Sequence, residues 1–415
     1  MFYSERMSHM KMEELTIQEF ESFTKTNFLK NYMQTEEYAR FMGENKYNYD
    51  YLGLKNSEGR IVAASLILRR KIGFNYRYGY APKGFLLNYY DDNLIKTFIE
   101  HLKKFYSRKN MAFIKVNPEI VVSEINRHTY EKTENTNLRL KQDLQSNGFI
   151  KLKDNLYFES MNPRFNAYVD LKNTDFSKYD KSHRNKVRNS HRKGLFIEKG
   201  TVKDLDKLYA IMNTKNPLSY YKNLCESFGD KIDIILVKVS FEDFIKNSQA
   251  LYEKELDNNS LFNEILHRSH NEADLNKKMA SDARLCTIKN EIIVATDGLK
   301  EANESIVAGA FVIKYENRVH IFESAFDRKF SHLNANYFLY DALITNYKYD
   351  YDFLDLNGIS GDFKKTSIYR NLNRFKLGFD PKIYEYIGEF DLVLDRVAYD
   401  NLAMTGKLAQ EFNKE

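Results

Sequence analysis

One order of elements is legible twice in this chain, and that duplication restricts the fold more than any other feature of its 415 residues. Residues 59–68 read GRIVAASLIL and residues 305–314 read SIVAGAFVIK. Each is a short, β-branched apolar run that suits a buried strand. The first is followed by a Tyr-rich stretch (72–80), a helix-like segment (94–106) and a strand (111–116). The second is followed by 318–323, 337–346 and 351–356 in the same roles. Strand, strand, helix, strand in both halves implies an α/β or mixed α+β chain built from two similar units. A chain of this length also exceeds what one core usually fills, so two subdomains are expected.

Strand–strand–helix–strand resembles the centre of the GNAT acyltransferase fold. There, a Gly-rich turn before the helix grips the coenzyme A pyrophosphate through backbone N–H groups. The matching stretches here, APKGFLLN (81–88) and DRKFSHLNAN (327–336), lack closely spaced glycines. Acyl-CoA is therefore not the expected donor.

Between the units, residues 241–256 place Phe241, Phe244, Ile245, Ser248, Leu251 and Tyr252 on one helical stripe. The DNNS run at 257–260 reads as a turn, and a second amphipathic run carries Leu261, Phe262, Ile265, Leu266 and Met279. The expected result is an antiparallel helical hairpin projecting from the domain. Two ordinary packed helices satisfy the periodicity equally well.

No run of about 18 apolar residues is present, so no membrane span is expected. The acidic, h-region-free start does not read as a secretory signal. Two cysteines, Cys225 and Cys286, neither staple a fold nor show zinc spacing, and a reducing cytoplasm fits. The net charge of +5 is mild, but it is unevenly spread. Residues 177–194, SKYDKSHRNKVRNSHRKG, hold seven Lys and Arg against one Asp. Arg184, Arg188 and Arg192 follow i, i+4 spacing and share a face that a polyanion would relieve of its self-repulsion. A merely solvated helix is the competing reading.

The most distinctive stretch is 351–393, YDFLDLNGISGDFKKTSIYRNLNRFKLGFDPKIYEYIGEFDLV. Lys376, between Phe375 and Gly378, could contact phosphate or steady negative charge, although a surface lysine is the commoner outcome for such a pattern. Here a family resemblance becomes specific. The DLNGISGDF, LNRFKLGF and EYIGEF runs resemble the C-terminal signature of the FemABX family of peptidoglycan interpeptide-bridge aminoacyltransferases. YMQT (32–35), APKGFLLNY (81–89) and RKG (192–194) resemble further family segments.

The resemblance implies two GNAT-like subdomains, at 1–160 and at 161–240 with 282–395. An inserted hairpin arm (241–281) and a C-terminal helical segment (396–415) complete the expected organisation. It implies transfer of glycine, alanine or serine from an aminoacyl-tRNA, the co-substrate, to a lipid- or nucleotide-linked peptidoglycan precursor, with no separate cofactor. A cytoplasmic enzyme that touches the inner membrane face is the expected setting. Lys376 and Phe375 fall on the family's Phe-Lys pair. Lys83, Tyr369, Arg184, Arg188 and Arg192 are placed with substrate binding. Relatives carry a lysine where this chain has Met42, so Arg40 and Lys46 are taken as cationic substitutes. Relatives also carry Asp-Pro where this chain has Asn117-Pro118, and an amide cannot take a proton. Two readings compete with this one: a GNAT N-acyltransferase with another acyl donor, and a non-catalytic RNA- or precursor-binding relative.

Overall fold

The computed structural model describes residues 10–133, 137–156 and 159–412. Most of the amino-terminal stretch judged for a leader, and the end of the expected C-terminal helical segment, lie outside these residues. Among the described residues, fifteen strands form two sheets. In chain order they are β1 (Lys11–Glu14), β2 (Asn48–Lys55), β3 (Ile61–Ile72), β4 (Tyr76–Ala81), β5 (Met111–Val116), β6 (Val121–Ile125), β7 (Phe149–Lys151) and β8 (Phe165–Asp170). There follow β9 (Leu195–Gly200), β10 (Ile232–Ser240), β11 (Glu304–Tyr315), β12 (Arg318–Phe326), β13 (Phe353–Ile359), β14 (Lys382–Tyr386) and β15 (Phe390–Val393). The sheet orders are β1-β2-β3-β4-β5-β15-β7 and β6-β14-β8-β13-β12-β11-β10-β9.

The repeated unit is present in both sheets. β3 pairs antiparallel with β4, helix Asp92–Tyr106 crosses over, and β5 returns parallel to β4. Likewise β11 pairs antiparallel with β12, helix Ala335–Tyr347 crosses over, and β13 returns parallel to β12. The near-continuous apolar runs have a packing cause. Alternate residues of β10 face different cores: Ile234 and Leu236 pack with the first-half core, Ile235, Val237 and Val239 with the second. Phe311 and Ile313 against Ala310 and Val312 repeat this on β11. A strand buried on both faces has no polar side to show.

A single cut at residue 160 does not separate the sheets. β6, from the first half, pairs with β14 in the second sheet, and β15, near the C-terminus, lies between β5 and β7 in the first. The exchange covers strand edges that would otherwise expose unpaired backbone. The C-terminal helices Arg396–Met404 and Lys407–Phe412 follow β15.

The hairpin is real but longer than expected, with helices Phe241–Ser269 and Glu272–Glu301. The turn is not at 257–260, which lies inside the first helix. It falls at His270, in left-handed conformation, and Asn271, whose side chain caps the second helix through Asp274 N–H. Asn259 instead bonds across to Ser281 and Asp282, so its amide is satisfied without breaking the helix. The base is core: Phe241 and Phe244 are buried, and a Cβ on Gly298 would meet the Phe241 ring at 2.3 Å. Excising residues 252–289 with a short Gly/Ser link is therefore expected to leave a soluble, cooperatively unfolding protein. Removing 241–301 should cost several kcal/mol, because two buried Phe side chains are lost. Circular dichroism melts of the two deletions check this. Among the described residues, no helix is long and apolar enough to cross a membrane.

Candidate active site

The two copies of the unit differ at one place. β4 and β5 stay paired along their length, whereas β12 and β13 pair only from Arg318–Phe353 to His320–Asp355 and then part. On its other side β13 stays paired with β8 to Ile359, and the Asn357 amide reaches the Ile321 and Phe322 carbonyls of β12 at 3.4 and 3.5 Å. Asp355 sits where the strands separate. His320 Nδ1 lies 3.1 Å from Asp355 Oδ2, and Asn357 N–H donates to the other oxygen at 2.7 Å. Burial alone would raise the Asp355 carboxyl. The hydrogen bond and charge of His320, the Asn357 N–H and the Lys83 charge outweigh it, and the group titrates below the usual carboxylate range.

The residues after β13 bring Lys376 to this point. Helix Arg370–Leu377 is held by Asn373, whose side chain pairs with both the N–H and the carbonyl of Ser360. His183 Nε2 donates to the Phe375 carbonyl at 2.9 Å, and its ring lies where a Cβ on Gly378 would be, 2.0 Å away. Gly378 is therefore fixed by close approach. Phe375 packs on Tyr337, Tyr340 and Phe379. Lys376, 8 % exposed, points inward and donates to the Gly358 carbonyl at 2.7 Å. Burial pulls its pKa down to about 8, and the Asp355 charge opposes part of that fall.

The first unit contributes Lys83. It is buried and in left-handed conformation, its N–H donates to Asn117 Oδ1 at 3.0 Å, and its ammonium lies 5.0 Å from the Tyr386 ring centroid. Asn117 also accepts from Tyr80 O–H. Tyr386 O–H donates to Tyr168, and Tyr168 O–H to Glu119, which Arg318 pairs at 3.3 Å. Lys83, Asn117, Glu159, Asn162, Pro163, Arg164 and Tyr386 line a small cleft. Pro163 joins that cleft to the Lys376 anchor, because a Cβ on Gly358 would lie 2.3 Å from Pro163 Cγ. Lys376 and Lys83 both act electrostatically on the Asp355 carboxylate, and positioned cations of this kind suit an anionic or polarised carbonyl group.

The other expected residues lie elsewhere. Arg40 is exposed on helix Glu36–Glu44, where it pairs with Glu36 at 3.5 Å and donates to the Ser227 carbonyl. Lys46 is exposed in the turn after that helix. Among the described residues, neither forms a hydrogen bond or ion pair with the Asp355 cluster. Tyr369 is half-buried at the start of helix Arg370–Leu377. The basic helix, Lys181–His191, is less free than its charges imply: His183, Val187 and Ser190 are buried. Arg184 doubles back onto the Ser177 and Tyr179 carbonyls at 2.5 and 2.7 Å, so it is not part of an open cationic face. Arg188 and Arg192 are exposed; Arg188 lies over Phe176, and Arg192 is steadied by Asn189. Arg192 and Arg284 of the hairpin both line a cleft of about 230 Å³. A larger cleft of about 340 Å³, lined by Glu21, Lys231 and Lys314, contains neither Lys376 nor Asp355, and Lys231 and Lys314 there are paired to Glu37 and Asp233.

Asp355, His320, Tyr168, Tyr386 and Glu159 are site residues that the sequence did not single out. Asp355 had a signal, since it opens the DLNG turn run, but the others come from separate strands and loops. The FemAB family model matches residues 15–407. The chain is 26% identical to aminoacyltransferase FemB of Staphylococcus epidermidis, over 94% of this chain and 96% of that one. It is 23% identical to aminoacyltransferase FemA of Staphylococcus aureus, over 94% and 97%. The crystal structure of FemX superposes with a TM-score of 0.72 at 18% identity, over 94% of this chain and 99% of that chain, a likeness of fold.

Proposed function

Because the chain belongs to the FemAB family and is an aminoacyltransferase, we propose that it moves an amino acid from a charged tRNA to the stem peptide of a peptidoglycan precursor. The observation that carries this reading is the buried Lys376 ammonium beside Asp355 at the parted strands, joined by Lys83 from the other unit. The bond to be broken is an ester between the amino acid and the tRNA's terminal ribose. An amine of the stem peptide attacks its carbonyl, the C–N bond forms, and the ribose oxygen leaves. An ester is already activated, so the protein's task is to align the amine, move a proton and stabilise the oxyanion. Lys376, held at Gly358, supplies a cation with little reorganisation. Glycine, alanine or serine is the amino acid transferred, and a lipid-linked acceptor would bring the enzyme to the membrane face.

The hairpin carries more acidic than basic residues, so tRNA phosphates belong on the exposed Arg188 and Arg192 rather than along the arm. Replacing both with Ala should weaken tRNA binding and lower the salt dependence of log K by about 1–2 units. Filter binding across a salt series measures this, and an unchanged slope removes these arginines from the interface.

The deciding experiment tests radiolabel transfer from a panel of charged tRNAs to lipid-linked and nucleotide-linked precursors. Transfer should require charged tRNA and be destroyed by ribonuclease. Undiminished transfer from acyl-CoA alone would overturn the reading in favour of a GNAT N-acyltransferase.

A further inference from the structure

The β3–β4 hairpin runs past both of its neighbours. β2 is paired with β3 only as far as Arg69, and β5 joins β4 at Arg77, so residues 70–76 stand clear of the sheet. The tip is nonetheless fixed. Ile72 is buried, Tyr78 O–H donates to Glu411 at 3.0 Å, and a Cβ on Gly73 would meet Leu402 at 3.5 Å. On this held base Phe74 is 97 % exposed, more than any other large apolar side chain among the described residues. Met404, two residues after Leu402 at the end of helix Arg396–Met404, is 86 % exposed.

The charges beside that ring are cationic. Lys71 lies directly opposite Arg77 across the hairpin, and like charges in that position repel. Among the described residues, neither side chain has a hydrogen bond or an ion pair. Arg70 has Glu411 at 3.8 Å, a carboxylate that Tyr78 also engages. Phosphates would relieve the Lys71–Arg77 repulsion. An exposed ring flanked by uncompensated cations matches the surface of an anionic bilayer. There the apolar side chain enters the acyl boundary while Lys and Arg keep their charges among the headgroups.

We propose that the β3–β4 tip docks this protein on an anionic lipid bilayer, with Phe74 inserted at the acyl boundary and Arg70, Lys71 and Arg77 on lipid phosphates. The choice of a lipid surface rests on the proposed lipid-linked acceptor and deepens it. The position of the tip suits that acceptor. β4 runs from the tip to Ala81, two residues before Lys83, a length of about 20 Å. Helix Glu36–Glu44 follows the same interval. Just before it, the Gln34 amide donates to the Pro82 carbonyl, and just after it, Tyr47 O–H lies 3.3 Å from Tyr78 O–H with its ring under Arg70. An extended peptide advances about 3.3–3.6 Å per residue. A precursor held in the bilayer by its lipid therefore spans this interval with its sugar and a few stem-peptide residues.

The chain contains no Trp, so Phe74→Trp places a single such fluorophore at the tip. Vesicles of phosphatidylglycerol should shift its emission to the blue, and vesicles of phosphatidylcholine should leave it unchanged. Wild type should sediment with the phosphatidylglycerol vesicles at low salt and be released at high salt. Phe74→Ala and the double variant Lys71→Gln/Arg77→Gln should each weaken that binding by roughly tenfold or more. Thermal melts, tRNA binding and transfer to a nucleotide-linked acceptor should match wild type. Wild type that does not sediment, or either variant binding vesicles as wild type does, overturns the proposal. So does a loss of tRNA binding in the double variant, which assigns the cations to RNA, or a wild-type dimer that Phe74→Ala dissociates, which assigns the ring to a second copy. A variant whose melt changes is set aside, and the Phe74→Trp emission then decides alone. Wild type that sediments with the vesicles but transfers from no charged tRNA would strike the proposed function and leave this surface standing.

Discussion

Replacing Lys376 with Met is expected to cut turnover by about a hundredfold or more while leaving the fold at least as stable as wild type. The two effects have one cause. Lys376 is buried, its hydrogen bond is to the neutral Gly358 carbonyl, and burial holds its pKa near 8 against an ordinary 10.5. A shift of that size corresponds to a folding cost on the order of 3 kcal/mol at neutral pH, partly offset by the hydrogen bond. The sign follows from proton counts. Between about pH 8 and 10.5 the unfolded chain holds the proton and the folded one does not, so stability rises with pH across that window. Below it the full cost is present, and Met removes it. Catalysis runs the other way. The cation is present below about pH 8, so wild-type activity should fall as pH rises through that value. Lys376→Arg should move or abolish that limb while restoring only part of the rate, because a planar guanidinium places its charge differently. A Met variant with wild-type turnover would make the lysine a bystander.

A second buried lysine should behave in the opposite way. Lys115 on β5 lies 2.8 Å from Asp391 on β15, with both side chains under 5 % exposed, and Tyr399 O–H donates to the same carboxylate at 2.9 Å. This pair fastens the C-terminal strand into the first sheet. Lys115→Met leaves Asp391 buried without its counter-charge and should destabilise by about 3–5 kcal/mol. In a chain of this size that is a fall in Tm of roughly 4–6 °C. The double variant Lys115→Met/Asp391→Leu should recover most of it, because an apolar pair of similar volume replaces the ion pair without the desolvation cost. Thermal melts of the three proteins measure it. A single variant as stable as wild type would mean that water or Lys115's neighbours compensate Asp391, and that β15 is held by its backbone ladder alone.

Local information in the chain determined a good deal. The runs 59–68 and 305–314 are strands buried on both faces, the first within one core and the second with alternate residues meeting two cores, and the order strand, strand, helix, strand follows from periodicity that each segment carries by itself. The hairpin was legible for the same reason, because helical stripes are short-range patterns, whereas Lys376 stood out only through the family resemblance and its burial came from tertiary packing. What tertiary structure alone decided is long-range. The exchange of β6 and β15 depends on which sheet edge lies open after the halves meet, and no local pattern encodes that. Arg184 looked like part of a cationic face, but its partners are carbonyls made available by the turn before the helix. The continuous first hairpin helix overrode a polar run that reads as a turn, because Asn259 found partners on the opposite helix. Lys83, Glu159, His320, Asp355 and Lys376 come from five separate segments. Their shifted titration, an Asp355 carboxyl held low and a Lys376 ammonium pulled down, arises from burial and charge proximity, which exist only once the chain has packed.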